Sequence, residues 1–189
     1  MTVKIALVGK MRSGKDTFAE PLLHSKSMYH LRFADGIQEI ISAFFPEADS
    51  GKGKPREHYQ HIGQSLRQLD PDVWVNSLER DYINISRMLH ILEDTTSGII
   101  ITDVRQPNEV EWCRRNGFTL VKLICPSEVR RQRIIDCGDV FDEEQFTHET
   151  EQYIDTIDAD YVINSLCSKE ELQKQAVELY EKLAKQEEQ

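Results

Sequence analysis

The sequence has few features of a secreted or membrane-bound chain. Its 189 residues include only four cysteines, and they form no CxxC pair: Cys113, Cys125, Cys137 and Cys167. Such spacing favours reduced thiols over a disulfide framework or a zinc site. No apolar run approaches the roughly 18 residues of a membrane-spanning helix, and the first residues lead into an apolar strand instead of a signal peptide. We therefore expect a cytoplasmic location.

Positive charge is also scarce. There are 23 Lys and Arg residues against 33 Asp and Glu, which gives a formal net charge of −10. Nucleic acids and anionic membranes both attract a cationic surface. The composition therefore argues against nonspecific binding to either, and small molecules are the expected partners. The acidic charge is compatible with a monomer or a homodimer.

Short apolar runs alternate with longer helical patterns, and the chain has no repeat or low-complexity linker. This alternation predicts an α/β fold with a mostly parallel sheet, and the length fits a single domain over residues 1–189. Polar and apolar residues alternate from His30 to Phe33, which is typical of an edge strand. Five strands are predicted: Val3–Val8, Leu31–Ala34, Ile99–Thr102, Leu120–Ile124 and Tyr161–Ile163.

Turn and capping residues mark the predicted helices. One apolar stripe from Ile37 ends at Pro46, and a second from Tyr59 to Leu69 ends at Asp70. Asp70 is predicted to cap the next helix, with Pro71 in its first position. Pro107 is predicted to begin a further helix. Residues 49–56 are predicted to form a basic loop.

Residues 9–15 read GKMRSGK, the GxxxxGK pattern, directly after an apolar strand and before a helical pattern. Glycines let the backbone fold around a phosphate with its N–H groups pointing inward, and the next helix adds a positive N-terminus. The pattern predicts a P-loop that binds ATP. Lys15 would contact the β- and γ-phosphates and neutralise charge as the phosphoryl group moves. The predicted ATP-binding residues are Gly9, Lys10, Met11, Arg12, Ser13, Gly14, Lys15, Asp16 and Thr17.

Two aspartates are predicted to lie near a Mg²⁺ ion. Asp16 stands where the full motif has Ser or Thr, so it contacts the metal through water or is simply a favourable charge on the first turn of a helix. Asp103 ends the apolar run from Ile99, as in a Walker B strand. A parallel neighbour of the first strand would bring that carboxylate near the metal. The alternative for Asp103 is a helix or turn cap.

Arginines indicate the kind of P-loop protein, because phosphoryl transfer between phosphates needs cations on both groups. Arg105 leaves the same strand end as Asp103. Arg130 and Arg133 share one face of a predicted helix, ahead of a segment to residue 150 that we predict to be a closing lid. Their alternative is a solvated basic face. Arg67 faces either the acceptor or solvent, and Trp74 either stacks on an acceptor base or lies in the core.

Four segments together resemble phage-type deoxynucleoside monophosphate kinases and their adenylate-kinase-like relatives. They are GKMRSGKDT at 9–17, Phe33–Asp35, Gln64–Trp74 and Asp103–Glu109, within a similarity that runs over about residues 3–165. The resemblance implies a five-stranded parallel sheet in the order 2-3-1-4-5 with helices on both faces. It also implies an acceptor-binding region at about residues 35–95 and a lid at about 130–150.

The resemblance also assigns roles to individual residues. It implies that Lys15 is the catalytic lysine, that Arg105 binds the acceptor or the transferred phosphate, and that Arg130 and Arg133 are lid arginines. The implied acceptor-binding residues are Asp35, Arg67, Trp74 and Arg105. Aspartate directly after the P-loop lysine agrees with this group.

The same loop, an Asp-x-Arg and paired lid arginines are also similar to animal-type phosphomevalonate kinases. The sequence thus predicts a kinase that uses ATP and Mg²⁺ to phosphorylate a (deoxy)nucleoside monophosphate. Other acceptors remain open, namely phosphomevalonate or dephospho-coenzyme A. So does a P-loop protein that binds a nucleotide and transfers nothing.

Overall fold

A computed structural model describes residues 2–49, 55–94, 96–137 and 149–187. Within them, five strands form one all-parallel sheet in the order β2-β3-β1-β4-β5. This confirms the predicted fold class, including the position of β2 at an edge. The strands are β1 Lys4–Gly9, β2 Tyr29–Leu31, β3 Ile99–Val104, β4 Thr119–Ile124 and β5 Tyr161–Asn164.

Helices connect these strands and cover both faces of the sheet. They are α1 Lys15–Ser25, α2 Asp35–Phe44, α3 Pro46–Asp49, α4 Arg56–Leu69, α5 Val73–Ile91, α6 Pro107–Arg115, α7 Ser127–Asp136, α8 Glu149–Thr156 and α9 Lys169–Glu187.

Alternate residues of the central strands supply two hydrophobic cores. Ala6 and Val8 of β1 join a core with α2, α5 and α6. Ile5 and Leu7 point to the other face, where α1 and α9 pack. Side chains of a strand alternate between the faces of a sheet, and this sheet is covered on both. Its central strands therefore appear in the sequence as continuous apolar runs.

Strand β2 is shorter than predicted and lies nearer to the N-terminus. It ends at Leu31, whereas the apolar pattern predicts a strand over 31–34. The backbone N–H groups of Phe33 and Ala34 instead donate to the carboxylate of Asp103, at 2.9 and 3.0 Å. A side chain on β3 therefore takes the donors that a longer strand would use, and the chain turns into α2.

The start of one helix and the ends of two apolar stripes also differ from the prediction. Helix α5 begins at Val73, after Asp72 at its N-cap position. Asp70 does not cap it; its carboxylate accepts from the backbone N–H of Asp72 at 2.9 Å. Phe44 and Leu69, at the ends of their predicted stripes, are 74% and 82% exposed. They are the last residues of α2 and α4.

In the described part of the chain, none of the helices combines the length and the apolar character needed to cross a bilayer.

Candidate active site

The P-loop occupies the carboxyl end of β1, beside β3 and β4. Residues with left-handed backbone, Arg12 at φ 61° and Gly14 at φ 97°, shape the loop. Gly14 precedes α1 directly, so the N-terminus of that helix faces the loop. Open α/β sheets bind ligands at this edge of their strands, and alternating backbone handedness turns N–H groups toward an anion. The loop therefore has the geometry of a phosphate site.

The side chain of Lys15 lies inside this loop. The residue is 9% exposed, and Nζ donates to the carbonyl oxygens of Gly9 at 2.6 Å and Lys10 at 3.0 Å. A buried ammonium group needs such acceptors because burial of a charge is unfavourable without partners. The positive charge is thus held inside the loop that a phosphate would enter.

Ser13 and Gly9 show how tightly the loop closes. The hydroxyl of Ser13 is buried and has no hydrogen-bond partner among the described residues. A Cβ atom added to Gly9 would lie 2.5 Å from Ser13 Oγ and 3.0 Å from the carbonyl oxygen of Leu123. A buried hydroxyl without a partner is unfavourable in the protein alone. These features fit a phosphate group as the ligand.

The two arginines of α7 contact the P-loop backbone. Arg130 is 4% exposed and donates from Nη1 to the carbonyl oxygen of Met11 at 3.3 Å. Arg133 donates to the carbonyls of Arg12 at 3.1 Å and Ser165 at 2.8 Å. They share one helix face, as predicted, and that face is not a solvated basic surface. Residues 138–148, most of the predicted lid, lie outside the described residues.

Other predicted loop residues have more peripheral positions. The Nζ atom of Lys10 lies 2.6 Å from a carboxylate oxygen of Asp155 in α8. Asp16 is exposed on the first turn of α1, and Thr17 follows it, half-buried. The salt bridge connects the loop to the helix that follows residues 138–148.

Asp103 lies in β3, next to the loop after β2. Each of its carboxylate oxygens accepts one backbone N–H bond, from Phe33 and from Ala34. Burial raises the pKa of Asp103, while those two bonds and the nearby Arg105 act in the opposite direction. Asp103 therefore makes backbone contacts of the kind that the alternative interpretation, a helix or turn cap, predicts. A role toward a metal remains a prediction.

The acidic residues give a limited fit to Mg²⁺. Among the described residues, no group of three or more His, Cys, Asp or Glu side chains is arranged to hold a metal ion. Mg²⁺ is usually held by one or two carboxylates together with substrate phosphates and water. Asp16 and Asp103 fit that arrangement in number and charge, and the buried loop supplies the place for the phosphates.

Asp35 pairs with Arg32, which sequence reasoning missed. Arg32 Nη2 lies 2.6 Å from Asp35 Oδ1, and the backbone N–H of Arg32 donates to Oδ2 at 2.9 Å. Burial lowers the pKa of Arg32, but Asp35 outweighs that effect and the net shift is upward. Arg32 directly follows β2 in the structure, whereas the predicted strand over 31–34 contains it, so its role at the strand end had no sequence signal.

His30 and Thr102 form a second polar contact that the sequence did not indicate. His30 Nε2 lies 2.7 Å from Thr102 Oγ1, across the β2–β3 pair. Burial lowers the pKa of His30 and Arg32 adds to that effect, while three carboxylates oppose it: Asp35, Asp103 and Asp16. Each of these three predicted site residues therefore acts electrostatically on His30.

Arg67 and Arg105 meet at Glu109, on the first turn of α6. Arg67 Nη2 of α4 lies 3.4 Å from Glu109 Oε1. Glu109 Oε2 accepts from the backbone N–H of Arg105 at 2.7 Å and of Gln106 at 3.0 Å. Gln106 and Glu109 form a capping box, a spacing that sequence analysis can detect. Its ion pair with Arg67 spans 42 residues and has no local signal.

Trp74 lies in the core and not against an open acceptor site. It is 3% exposed and packs in the cluster beneath α2 and α5. Its indole Nε1 donates to the carbonyl oxygen of Gly63 at 3.1 Å. A ring that is buried with its one donor satisfied offers no face for stacking. The core alternative is therefore correct for this structure, and Trp74 is not retained in the proposed acceptor site.

The glycine loop, the buried lysine and the strand order define the P-loop kinase fold of the nucleoside monophosphate kinase type. The sequence matches no protein-family model and no curated protein.

Solved structures share the fold. A tunicamycin resistance protein of Deinococcus radiodurans superimposes with a TM-score of 0.60 at 14% identity, over 95% of each chain. A sugar kinase of a Janibacter species gives 0.54 at 14% identity, over 94% of each chain. A shikimate kinase of Acinetobacter baumannii, in complex with shikimate, gives 0.53 at 16% identity, over 95% of this chain and 91% of that one. Identities this low show a common fold only.

Proposed function

We propose that this protein is an ATP-dependent kinase that transfers the γ-phosphoryl group of ATP to a (deoxy)nucleoside monophosphate and yields the diphosphate. The main support is the convergence of cations from separate elements on one edge of the sheet. Lys15 lies inside the P-loop, Arg130 and Arg133 bind its backbone, and the Arg105 segment meets Arg67 at a buried carboxylate. A nucleotide-binding switch needs the loop but not this set.

The proposed reaction requires little covalent chemistry from the protein. An oxygen of the acceptor phosphate attacks the γ-phosphorus of ATP, the bond to the β-phosphate oxygen breaks, and ADP leaves. Lys15 neutralises charge on the transferred group. Arg67 and Arg105 hold the acceptor phosphate in line. Catalysis then consists of positioning and charge stabilisation, with water excluded from the site.

Magnesium completes the donor side of the proposal. When bound, Mg²⁺ neutralises phosphate charge and fixes the geometry of the triphosphate. Asp16 and Asp103 are the proposed protein contacts, through water where the carboxylate is engaged elsewhere. Asp103 keeps acceptor capacity beyond its two N–H bonds, because a carboxylate accepts about four.

The arginines of α7 have a double role in the proposal. In this structure Arg130 and Arg133 hold the P-loop carbonyls of Met11 and Arg12. The proposed lid, about residues 130–150, would close over ATP, and the same guanidinium groups would then contact its phosphates. A cytoplasmic location and a possible homodimer belong to the same proposal and need separate experiments.

Coupled ADP release with ATP and Mg²⁺ tests this function. The acceptor panel contains every ribo- and deoxynucleoside monophosphate, phosphomevalonate and dephospho-coenzyme A. Shikimate and hexoses are included because solved structures of similar fold include a shikimate kinase and a sugar kinase. Turnover with one or a few nucleotides supports the proposal. Turnover only with another acceptor gives the second candidate, another small-molecule kinase. If none of the acceptors gives turnover although ATP binds tightly, both candidate functions are contradicted.

A further inference from the structure

Glu109 is a buried carboxylate for which the proposed reaction has no direct use. It is 2% exposed. Burial raises its pKa to about 7, and the nearby Asp103 adds to that effect; Arg105, Arg67 and Gln106 oppose it. A carboxylate in such a place is unfavourable unless its contacts compensate. The contacts of Glu109 must therefore compensate for its burial, and they indicate what the residue does.

Those contacts join two separate parts of the acceptor side. Through Oε2, Glu109 holds the backbone N–H groups of Arg105 and Gln106, directly after β3. Through Oε1 it pairs with Arg67, which arrives from α4. The first contact is a helix cap, and Gln serves at this position as well as Glu does. The second contact uses the negative charge, which Glu109 carries above about pH 7 and which a cap does not need.

Arg67 remains within reach of a ligand despite this pairing. Its side chain is 28% exposed and lines a shallow cavity of about 240 Å³, together with Pro71 and residues 106–108. A guanidinium group carries five N–H donors in a fixed plane. The ion pair with Glu109 therefore orients the Arg67 guanidinium group and leaves some of its N–H donors available to an anion.

We propose that Glu109 is a positioning residue for acceptor binding, because its buried carboxylate holds the Arg67 guanidinium and the Arg105 backbone in one arrangement. This inference rests on the proposed function, in which Arg67 and Arg105 bind the acceptor phosphate. Its physical content is preorganisation. An arginine fixed before binding loses less side-chain freedom when the phosphate arrives. The opposite expectation, that Glu109 competes with the phosphate for Arg67, predicts tighter acceptor binding when the charge is removed.

The test is a double-mutant cycle of Glu109→Gln and Arg67→Gln, with steady-state kinetics on the acceptor that gives most turnover. Glu109→Gln retains an oxygen for the helix cap and removes the charge. We expect the KM for the acceptor to rise roughly tenfold, the size typical of one charged hydrogen-bonding group, with little change in the KM for ATP. In the Arg67→Gln background the same substitution should have almost no further effect.

Two controls separate positioning from folding. Asp94→Ala removes a carboxylate that holds the backbone N–H groups of Thr96 and Ser97 just before β3, at the opposite end of that strand from Glu109, so it should lower the melting temperature and leave the acceptor KM unchanged. Glu109→Asp keeps the charge on a shorter side chain and should restore part of the acceptor affinity.

The outcomes are distinct. An acceptor KM that is unchanged or lower in Glu109→Gln, or equal losses in the two backgrounds, overturns the inference and leaves the kinase proposal intact. A wild-type protein that phosphorylates no monophosphate overturns both.

Discussion

The proposed phosphate-donor side and the proposed acceptor side of this site are held in different ways. On the donor side, a contiguous loop of residues 9–15 surrounds its own lysine, and the arginines of α7 bind loop carbonyls. On the acceptor side, the contacts join side chains from separate elements, as Arg67 of α4 and Glu109 of α6 do. One half is therefore a local motif with added supports, while the other exists only after the chain has folded.

The largest expected effect lies on the donor side. Lys15→Ala removes the cation inside the loop, and kcat should fall about 10³-fold, the scale of a lost group that stabilises transition-state charge. Coupled ADP release measures it. Lys26→Ala is the control, since Lys26 lies past the far end of α1 and pairs with Glu181. Wild-type turnover in Lys15→Ala would place the active site elsewhere.

The next largest effect is expected from the backbone geometry of the P-loop at Gly14. Gly14→Ala puts a side chain at φ 97° and brings its Cβ to 3.0 Å from Leu172 Cδ2. We expect the Kd for ATP, measured by calorimetry, to rise more than about tenfold, because the loop no longer presents its N–H groups correctly. Gly117 also has positive φ, at 74°, with nothing within 4 Å of an added Cβ. Gly117→Ala should therefore cost stability only. Equal ATP affinity in the two variants would contradict the loop geometry.

Arg133→Ala tests the contacts that support the P-loop, because it leaves the residues of the loop unchanged. It removes hydrogen bonds to the carbonyls of Arg12 and Ser165. Turnover should fall about 10²-fold while most ATP affinity remains. The matched control is Arg131→Ala, at an exposed position on the same helix. If Arg131→Ala lowers turnover as strongly, α7 acts through its overall charge and not through these contacts.

Glu109 should give the acceptor side a pH-dependent stability. Its folded-state pKa is about 7, above the ordinary value of 4.5. Between these values the unfolded chain has released the proton and the folded protein still holds it. The free energy of unfolding should therefore decrease by about 3 kcal/mol from this group as pH rises from 4.5 through 7.

Denaturant unfolding of wild type and Glu109→Gln at several pH values measures this effect, since the variant lacks the group. The charged or titratable groups that interact with Glu109 are Asp103, Arg67 and Cys113, and Arg105 contacts it through its backbone N–H. The variant keeps all four, so the difference between the two proteins isolates Glu109. A difference that does not change with pH would contradict the raised pKa.

The smallest effect concerns Trp74, which sequence analysis offered as an acceptor contact. Trp74→Phe keeps an aromatic ring in the core and removes the hydrogen bond to Gly63. The free energy of unfolding should decrease by about 1–2 kcal/mol, and the acceptor KM should not change. A selective rise in the acceptor KM would return Trp74 to the acceptor site.

The geometry of the P-loop and of its flanking strands could be predicted from the sequence because its signals are contiguous. The GxxxxGK spacing, the apolar runs of β1 and β3, and the shared face of Arg130 and Arg133 are all periodic or local patterns. The sequence predicted β2 less well, because the N–H groups of Phe33 and Ala34 bind Asp103, some 70 residues away. Propensity within a window cannot anticipate such a contact.

The same limit applies to the acceptor side. Glu109 and Gln106 have the spacing of a helix cap, which predicts the cap but not the ion pair with Arg67. Trp74 appeared equally suited to a base or to the core, because a tryptophan has the same apolar surface for either use. In the structure Trp74, on the first turn of α5, is buried against α2. That packing depends on helices from different parts of the chain, and no single segment of the sequence predicts it.

The most direct test of the central claim follows the phosphoryl group itself. ATP labelled in its γ-phosphate is incubated with the protein, Mg²⁺ and each nucleoside monophosphate, and the label is traced among ATP, nucleoside diphosphate and inorganic phosphate. The account predicts label in the diphosphate of one or a few nucleotides, and its loss in Lys15→Ala. Label that appears only in inorganic phosphate, or stays entirely in ATP, would contradict the assignment of this protein as a nucleoside monophosphate kinase.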